Sequence, residues 1–146
     1  MSQTDNNAKV TTPAKRPGKI KWIVGGILLL IAAAAAMNLP RGYSDDLSHI
    51  GKGKATVVLV HNKNSPESIE LMQVLGEVRG GYAGRVEFLL TEPNTPEGRV
   101  FMTANNAPQV SLVLLNANGN LVKILGFPQT TSNLQNEINT AFGITP

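Results

Sequence analysis

The 146-residue sequence contains no cysteine and only two histidines, His49 and His61. Without thiols the chain cannot form disulfides, use a thiolate nucleophile, or build an iron–sulfur cluster or a cysteine-rich zinc site. The two histidines have no carboxylate spaced to join them in a metal site. A phosphate-binding loop is also missing, because Gly80, Gly81 and Gly84 follow a predicted helix instead of joining a strand to one. The sequence therefore predicts no metal and no cofactor.

Positive charge is concentrated at the N-terminus, although the chain as a whole is basic, with 13 basic and 10 acidic residues. Residues 1–40 hold five of the basic residues and one of the acidic residues, which leaves eight basic and nine acidic in residues 41–146. The basicity belongs to the tail, so no nucleic-acid-binding surface is expected. The length allows one ordinary domain plus a short appendage.

A long uncharged run follows the polar N-terminus. Residues 1–19 include two prolines and no hydrophobic periodicity, which predicts a disordered arm. The run Trp22–Leu39 carries no charge, and as a helix it would cover ~27 Å, close to the thickness of a hydrocarbon core. We therefore predict a transmembrane helix over residues 20–39. Basic residues precede it, and Asp45 and Asp46 follow it.

By the positive-inside rule, this distribution predicts a single-pass inner (cytoplasmic) membrane protein with a cytoplasmic N-terminus and a periplasmic or extracellular C-terminal domain. The alternative is a cleaved signal peptide, because the alanine run offers small-residue cleavage sites around Ala34 and Ala36. Residues 40–53 are polar and contain glycines, and they predict a linker or a lightly structured lead-in.

Strand-like and helix-like patterns alternate over residues 54–146. The continuous apolar run at residues 54–60 predicts a buried strand with a parallel neighbour, and the strand–helix–strand order predicts a right-handed βαβ unit. Two later strands separated only by "NANGN" must form an antiparallel hairpin. The predicted order is strand 54–60, helix 65–82, strand 85–90, helix 95–105, strands 110–115 and 121–125, and helix 130–142.

Apolar spacing predicts which side chains the two longer helices bury. In the first helix the positions near helical spacing are Ile69, Met72, Leu75 or Gly76, and Val78 or Arg79, and in the last helix Leu134, Ile138, Ala141 and Phe142 lie on one face.

The start of the first helix, Ser65-Pro66-Glu67-Ser68, allows two interpretations. Ser65 is a good N-cap, Pro66 suits the first helical position, and Glu67 faces the positive end of the helix dipole. The same four residues also have the spacing of a two-cysteine redox motif, with a hydroxyl where each thiol would be. Both interpretations predict the same local structure.

The β-α-β-α-β-β-α order, with "VEFLLTEPN" and "VSLVLLNANGNLVKILGF", resembles the thioredoxin-like family over about residues 50–143. The resemblance implies an α/β domain with a four-stranded mixed sheet and helices on both faces. It implies that Ser65–Ser68 occupies the CxxC position, and that Gly119 and Gly126 match two family glycines. The cis-proline position falls on Val110, where no cis bond is expected. The chain is thus similar to a degenerate member lacking both cysteines and the cis-proline.

Chemistry at this position is restricted because thiol–disulfide exchange needs a thiolate, which a serine cannot supply at neutral pH. Ser65 or Ser68 with His61 could form a nucleophile–base pair, but neither an acidic group to orient the histidine nor an oxyanion site is evident. His61 is instead expected to be a solvated histidine at a strand end. We therefore predict that the protein is not an enzyme.

The predicted function is a non-catalytic, membrane-anchored binding module or accessory subunit of a membrane or cell-envelope complex. Its expected partners are the lipid bilayer and one or more proteins, and the resemblance implies protein contacts at Ser65, Pro66, Glu67, Ser68, Gln109 and Val110. The alternatives are an enzyme of unrecognised chemistry and a cleaved, secreted thioredoxin-like domain.

Overall fold

The computed structural model describes residues 23–30 and 42–145, and the chain divides into two units between Arg41 and Gly42. In the first unit, residues 23–30 are α-helical and their side chains are exposed. None of the helices within these two described ranges is long and apolar enough to cross a membrane. The predicted arm, most of the predicted span 20–39 and the first residues of the predicted linker lie outside the described residues.

The second unit, residues 42–145, contains four strands and three α-helices in the predicted order. Short 3₁₀ turns at Leu47–His49 and Gly80–Tyr82 precede β1 and β2, respectively. The elements are β1 (Ala55–Val60), α1 (Pro66–Arg79), β2 (Val86–Thr91), α2 (Pro96–Asn105), β3 (Ser111–Leu115), β4 (Leu121–Gly126) and α3 (Thr131–Phe142).

The four strands form one mixed sheet in the order β2-β1-β3-β4. β1 pairs with β2 in parallel, whereas the β1–β3 and β3–β4 pairs are antiparallel. β1 is therefore central, and every residue from Thr56 to Val60 is buried, as expected for a strand covered on both faces. The predicted four-stranded mixed sheet is confirmed.

The core lies on both faces of the sheet because successive strand residues point to opposite sides. One layer packs β1 and β3 side chains against α1 and α3, and the other packs them against α2. The first layer includes Val57, Leu59, Leu71, Leu75, Leu112, Leu134 and Ile138, and the second includes Val58, Val60, Leu89, Phe101, Val113 and Leu115.

The buried face of α1 differs from the predicted one. Ser68, Leu71, Leu75 and Val78 are buried, whereas Ile69 is 46% exposed. The prediction that Ile69 points inward was wrong because the helix is rotated so that the Ser68 hydroxyl, and not the Ile69 side chain, faces the end of β1. Burying a polar residue at this position is allowed by the hydrogen bonds described below.

The lead-in, residues 42–53, is attached along β2. The Leu90 N–H donates to the Ser44 carbonyl at 2.9 Å, and Ser44 forms a parallel bridge with Leu89. The guanidinium of Arg79 lies 4.7 Å from the centre of the Tyr43 ring, which packs against the α1 side of the core. The lead-in thus belongs to the folded unit.

His49 in the lead-in contacts the carboxylate of Glu87 in β2. Its Nδ1 lies 2.6 Å from Glu87 Oε1, and its Nε2 lies 3.6 Å from Asp46 Oδ2. The hydrogen bond and charge of Glu87 raise the pKa of His49 above its ordinary value. Because the pKa is higher in the folded state, the contact stabilises the fold fully below the unfolded-state pKa of about 6.5 and is lost as pH rises through the folded-state pKa.

We expect the contribution of the His49–Glu87 contact to the free energy of unfolding to decrease between about pH 6 and pH 8. A His49→Gln variant keeps a polar side chain but cannot take up the proton, so its unfolding should lack that component. Urea denaturation of the wild-type and variant chains at both pH values measures the difference. An identical pH dependence in the two chains would show that the His49–Glu87 contact does not contribute.

Candidate functional site

The candidate site begins where β1 ends and α1 starts. Ser65 has an extended backbone, and its hydroxyl oxygen accepts the Ser68 N–H at 3.4 Å, as an N-cap does. Pro66 opens the helix, and Glu67 lies in its first turn. The structure thus contains the predicted capped helix start.

The exposed side of this helix start carries a hydrogen-bonded pair, Ser65 and Glu67. The Ser65 hydroxyl donates a hydrogen bond to the Glu67 carboxylate. That bond, followed by one from the Glu67 backbone, lowers the pKa of Glu67. A carboxylate with a lowered pKa is a weaker base, so the pair is poorly suited to activating the Ser65 hydroxyl.

The inner side carries a buried polar cluster, which we define as His61, Asn62 and Ser68. Ser68 is completely buried, and its Oγ lies 2.8 Å from His61 Nδ1 and accepts the Asn62 N–H at 3.0 Å. His61 is only 8% exposed, so the expectation of a solvated histidine was wrong. β1 is a central strand, and the first turn of α1 covers the residue that follows it.

The polar cluster places a serine beside a histidine, as a nucleophile–base pair would require. The Ser68 oxygen, however, is buried and already accepts a backbone hydrogen bond, so it has no open side for a substrate. Within residues 23–30 and 42–145, no group of histidine and carboxylate side chains could hold a metal ion. The histidines have separate partners, since His49 contacts Glu87 and His61 contacts Ser68. The cluster therefore fixes the helix start and offers no exposed reactive group.

The loop before β3 lies against this cluster. The Asn62 side-chain amide donates to Gln109 Oε1 at 3.2 Å, and the Ser111 hydroxyl donates to the Pro108 carbonyl at 2.7 Å. Val110 has a φ of 59°, in the left-handed region that a β-branched residue rarely adopts. The cis peptide bond in the described part of the chain is at Phe127–Pro128, not at Val110.

The left-handed backbone conformation of Val110 predicts how substitutions at this position change stability. At positive φ a glycine avoids the clash of a Cβ atom, so Val110→Gly should be more stable than Val110→Ala by about 1 kcal/mol. The order should reverse at Glu70, an exposed residue of α1. There the alanine variant should be more stable than the glycine variant by about 1 kcal/mol. Urea denaturation of the four variants measures both differences. A Val110→Ala variant at least as stable as Val110→Gly would contradict the assigned backbone.

Three apolar side chains lie at the same end of the sheet as the polar cluster. The strand register aligns Val60 with Ser111, and Ser111 with Gly126, so the ends of β1 and β4 lie beside the start of β3. Ile69 and Phe127 are 46% and 40% exposed, and Val110, which directly precedes β3, is half-buried. We call Ile69, Val110 and Phe127 the site surface.

The predicted contact residues differ in their access to this edge. Pro66, Glu67 and Gln109 are exposed, Ser65 and Val110 are half-buried, and Ser68 is buried. Ile69 and Phe127 were not predicted as parts of the site. Phe127 directly follows β4. A large apolar residue directly after a strand end is exposed unless another element covers it, and this was the available sequence signal for Phe127.

Replacing both serines with cysteine tests whether Ser65 and Ser68 stand at the redox positions. We expect the Ser65→Cys, Ser68→Cys double variant to form a disulfide under mild oxidation without unfolding. The thiol at position 65 should have a pKa below about 8.5, since the helix dipole and the Ser68 N–H favour the thiolate, although the Glu67 charge limits the decrease. Mass measurement detects the disulfide, and thiol titration across pH gives the thiol pKa. A variant that stays reduced would show that the alignment with a CxxC motif is wrong.

Solved structures of other proteins have a similar fold. No protein-family model matches the sequence, and no curated protein matches it. An uncharacterised thioredoxin-like protein from Clostridium perfringens has a TM-score of 0.60 and 15% identity, over 68% of this chain and 79% of that chain. Desulfothioredoxin from Desulfovibrio vulgaris Hildenborough, in its reduced form, has a TM-score of 0.52 and 20% identity, over 66% of this chain and 95% of that chain. The protein therefore has a thioredoxin-like fold, and it contains no cysteine for redox chemistry.

Proposed function

We propose that this protein is a membrane-anchored, non-catalytic thioredoxin-like module that binds a partner protein through the site surface. The observation that carries the proposal is the exposure of Ile69 and Phe127 at the sheet edge where the ends of β1 and β4 and the start of β3 meet. The polar cluster at the same end of the sheet is internally hydrogen-bonded. This combination suits contact with another protein, because exposed large apolar groups over a fixed frame make favourable anchors.

The chemistry of the site also favours binding over catalysis. The Ser68 hydroxyl is buried, the Ser65 hydroxyl donates to a carboxylate of lowered pKa, and no thiol is present. A partner would gain affinity by covering apolar side chains, at roughly 25 cal/mol per Å² of apolar surface removed from water. The partner is a protein that presents an apolar segment, within a membrane or cell-envelope complex in which this chain is an accessory subunit.

Charge variants of the site surface test this proposal. The full chain is purified in mild detergent as wild type, Ile69→Asp, Phe127→Asp and Val122→Asp. Val122 is the matched control because it is 43% exposed but lies on β4, away from the site surface. We expect a co-purifying protein to be lost about tenfold or more in the two site variants and retained in the control. Equal retention in all four chains, or equal loss in the control, would contradict the proposal.

Membrane anchoring is the second part of the proposal. It is supported by the uncharged run Trp22–Leu39, which has five basic residues before it and Arg41, Asp45 and Asp46 after it, and by the exposure of every described side chain in residues 23–30. We expect the full chain to stay with the membrane through an alkaline wash, and residues 41–146 to be digested by protease added from the outer side. A soluble mature chain that begins near Met37 would show instead that the segment is cleaved.

A further inference from the structure

The sheet has two edge strands, β2 and β4, and the chain itself covers one of them. At β2 the Leu90 N–H donates to the Ser44 carbonyl at 2.9 Å, and Ser44 forms a parallel bridge with Leu89. Within residues 42–145, the backbone of residues 121–125 in β4 has no recorded hydrogen bond except those to β3. Backbone N–H and C=O groups that point away from the neighbouring strand need water or another strand. The outer edge of β4 is therefore open to an additional strand.

β4 has few of the features that keep an open edge from pairing, such as proline, projecting charges or a bulge. The strand contains no proline, and the Nζ of its one charged residue, Lys123, lies 2.6 Å from Glu137 Oε2 of α3. Leu121 and Val122 are 45% and 43% exposed. The register with β3 shifts once, at Val122, and is regular from Lys123 to Gly126. A regular apolar segment of the edge is thus left to pair.

We propose that β4 pairs with β4 of a second copy of this chain, in an antiparallel dimer with twofold symmetry. The occupant of an open edge must be a strand that has an open edge of its own. Among the described strands β4 meets this requirement, because the lead-in covers β2 at Leu89 and Leu90. A strand that meets its own copy gives a closed interface, the commonest kind of homo-oligomer, and covers the exposed Leu121 and Val122 of both copies.

Charge and strand length select the register of this pairing. Cross-strand neighbours project from the same face, so the twofold axis passes through one residue, which lies opposite its own copy. An axis at Lys123 would bring two ammonium groups together, and an axis at Val122 would fall on the register shift. An axis at Leu125 would pair fewer residues because β4 ends at Gly126. The axis therefore lies at Ile124, with Lys123 opposite Leu125 of the partner subunit.

Single-cysteine variants of the full chain in its membrane test this register. The chain has no cysteine of its own, so any disulfide joins two copies. Ile124→Cys should form a disulfide-linked dimer under mild oxidation, because paired Cα atoms lie about 4.5 to 5.5 Å apart, within bridging range. The control is Val100→Cys, which is 70% exposed on α2 and should give at most a tenth of that dimer, by the order of magnitude that one tenfold step represents. Equal dimer at both positions, or none at position 124, would overturn the proposal.

Charge variants separate this interface from the site surface. Val122→Asp places a carboxylate at the paired edges, so it should weaken the dimer about tenfold or more, and its exposed position lets the domain fold. Ile69→Asp, which should lose the partner of the site surface, should leave the dimer unchanged. Light scattering of the full chains in mild detergent measures both. A wild-type chain that stays monomeric at about 100 µM, or a dimer that Val122→Asp leaves intact, would contradict the pairing of β4 without affecting the proposed function.

Discussion

A Gly98→Ala variant is expected to lose roughly 3 kcal/mol of its free energy of unfolding. Gly98 is buried in the first turn of α2, and a Cβ atom there would overlap the Glu92 carbonyl oxygen and lie 2.9 Å from Thr95 Oγ1. Neither neighbour can move freely. The Glu92 carbonyl accepts hydrogen bonds from the Thr95 N–H and hydroxyl, and the Thr95 hydroxyl oxygen accepts the Gly98 N–H that caps the helix. Relief of the overlap would therefore break the cap.

Gly76 provides the matched control for this variant. It also lies in a helix, α1, but it is exposed, and the nearest atom to an added Cβ is the Tyr43 hydroxyl at 3.7 Å. Gly76→Ala should stabilise the chain by up to about 1 kcal/mol through helix propensity. Urea denaturation measures the loss of stability expected for Gly98→Ala and the gain expected for Gly76→Ala. A Gly98→Ala variant within about 1 kcal/mol of wild type would show that the turn from Glu92 to Thr95 is not held as described.

The second large effect is expected from Ser68→Ala, which should lower the free energy of unfolding by roughly 2 to 6 kcal/mol. Removing the hydroxyl leaves His61 Nδ1 and the Asn62 N–H without their partner in a buried place, and each buried unpaired group costs about 1 to 3 kcal/mol. Urea denaturation gives the loss in stability, and the nuclear magnetic resonance shifts of the His61 ring report the change at its partner.

Ser65→Ala separates this effect from the loss of an ordinary helix cap. The half-buried Ser65 side chain accepts the Ser68 N–H and donates to the exposed Glu67, so the cost should be about 1 kcal/mol, with little change at the His61 ring. Equal destabilisation by the two variants would mean that Ser68 acts only as part of the capped turn and that the polar cluster does not hold the site together.

The order and type of the elements could be predicted from the sequence because each has a strong local signal. The continuous apolar run of β1, the Ser65 and Thr95 caps, and the short "NANGN" turn act over a few residues each. The hairpin follows directly, since two strands so close in sequence can only pair in an antiparallel manner. The joining of the parallel pair and the hairpin into one four-stranded mixed sheet was implied by the resemblance to the thioredoxin-like family.

The details of the site could not be predicted because they depend on contacts between distant residues. The inward side of α1 was assigned from apolar spacing, which favoured Ile69, whereas the hydrogen bonds of Ser68 determine the rotation of the helix. Burial of His61 depends on that rotation. The left-handed φ of Val110 has no sequence signal, because a β-branched residue predicts extended backbone.

Photo-cross-linking in the intact membrane tests the proposed function most directly. A photoreactive amino acid is placed at position 69, 127 or 122 of the full chain, and adducts are identified by mass spectrometry after illumination of cells. We expect positions 69 and 127 to capture the same protein, and position 122, with exposure similar to Ile69, to capture none of it. Adducts at position 122 equal to those at 69, or no protein adduct at 69 and 127, would contradict the account of the site surface as a protein-binding site.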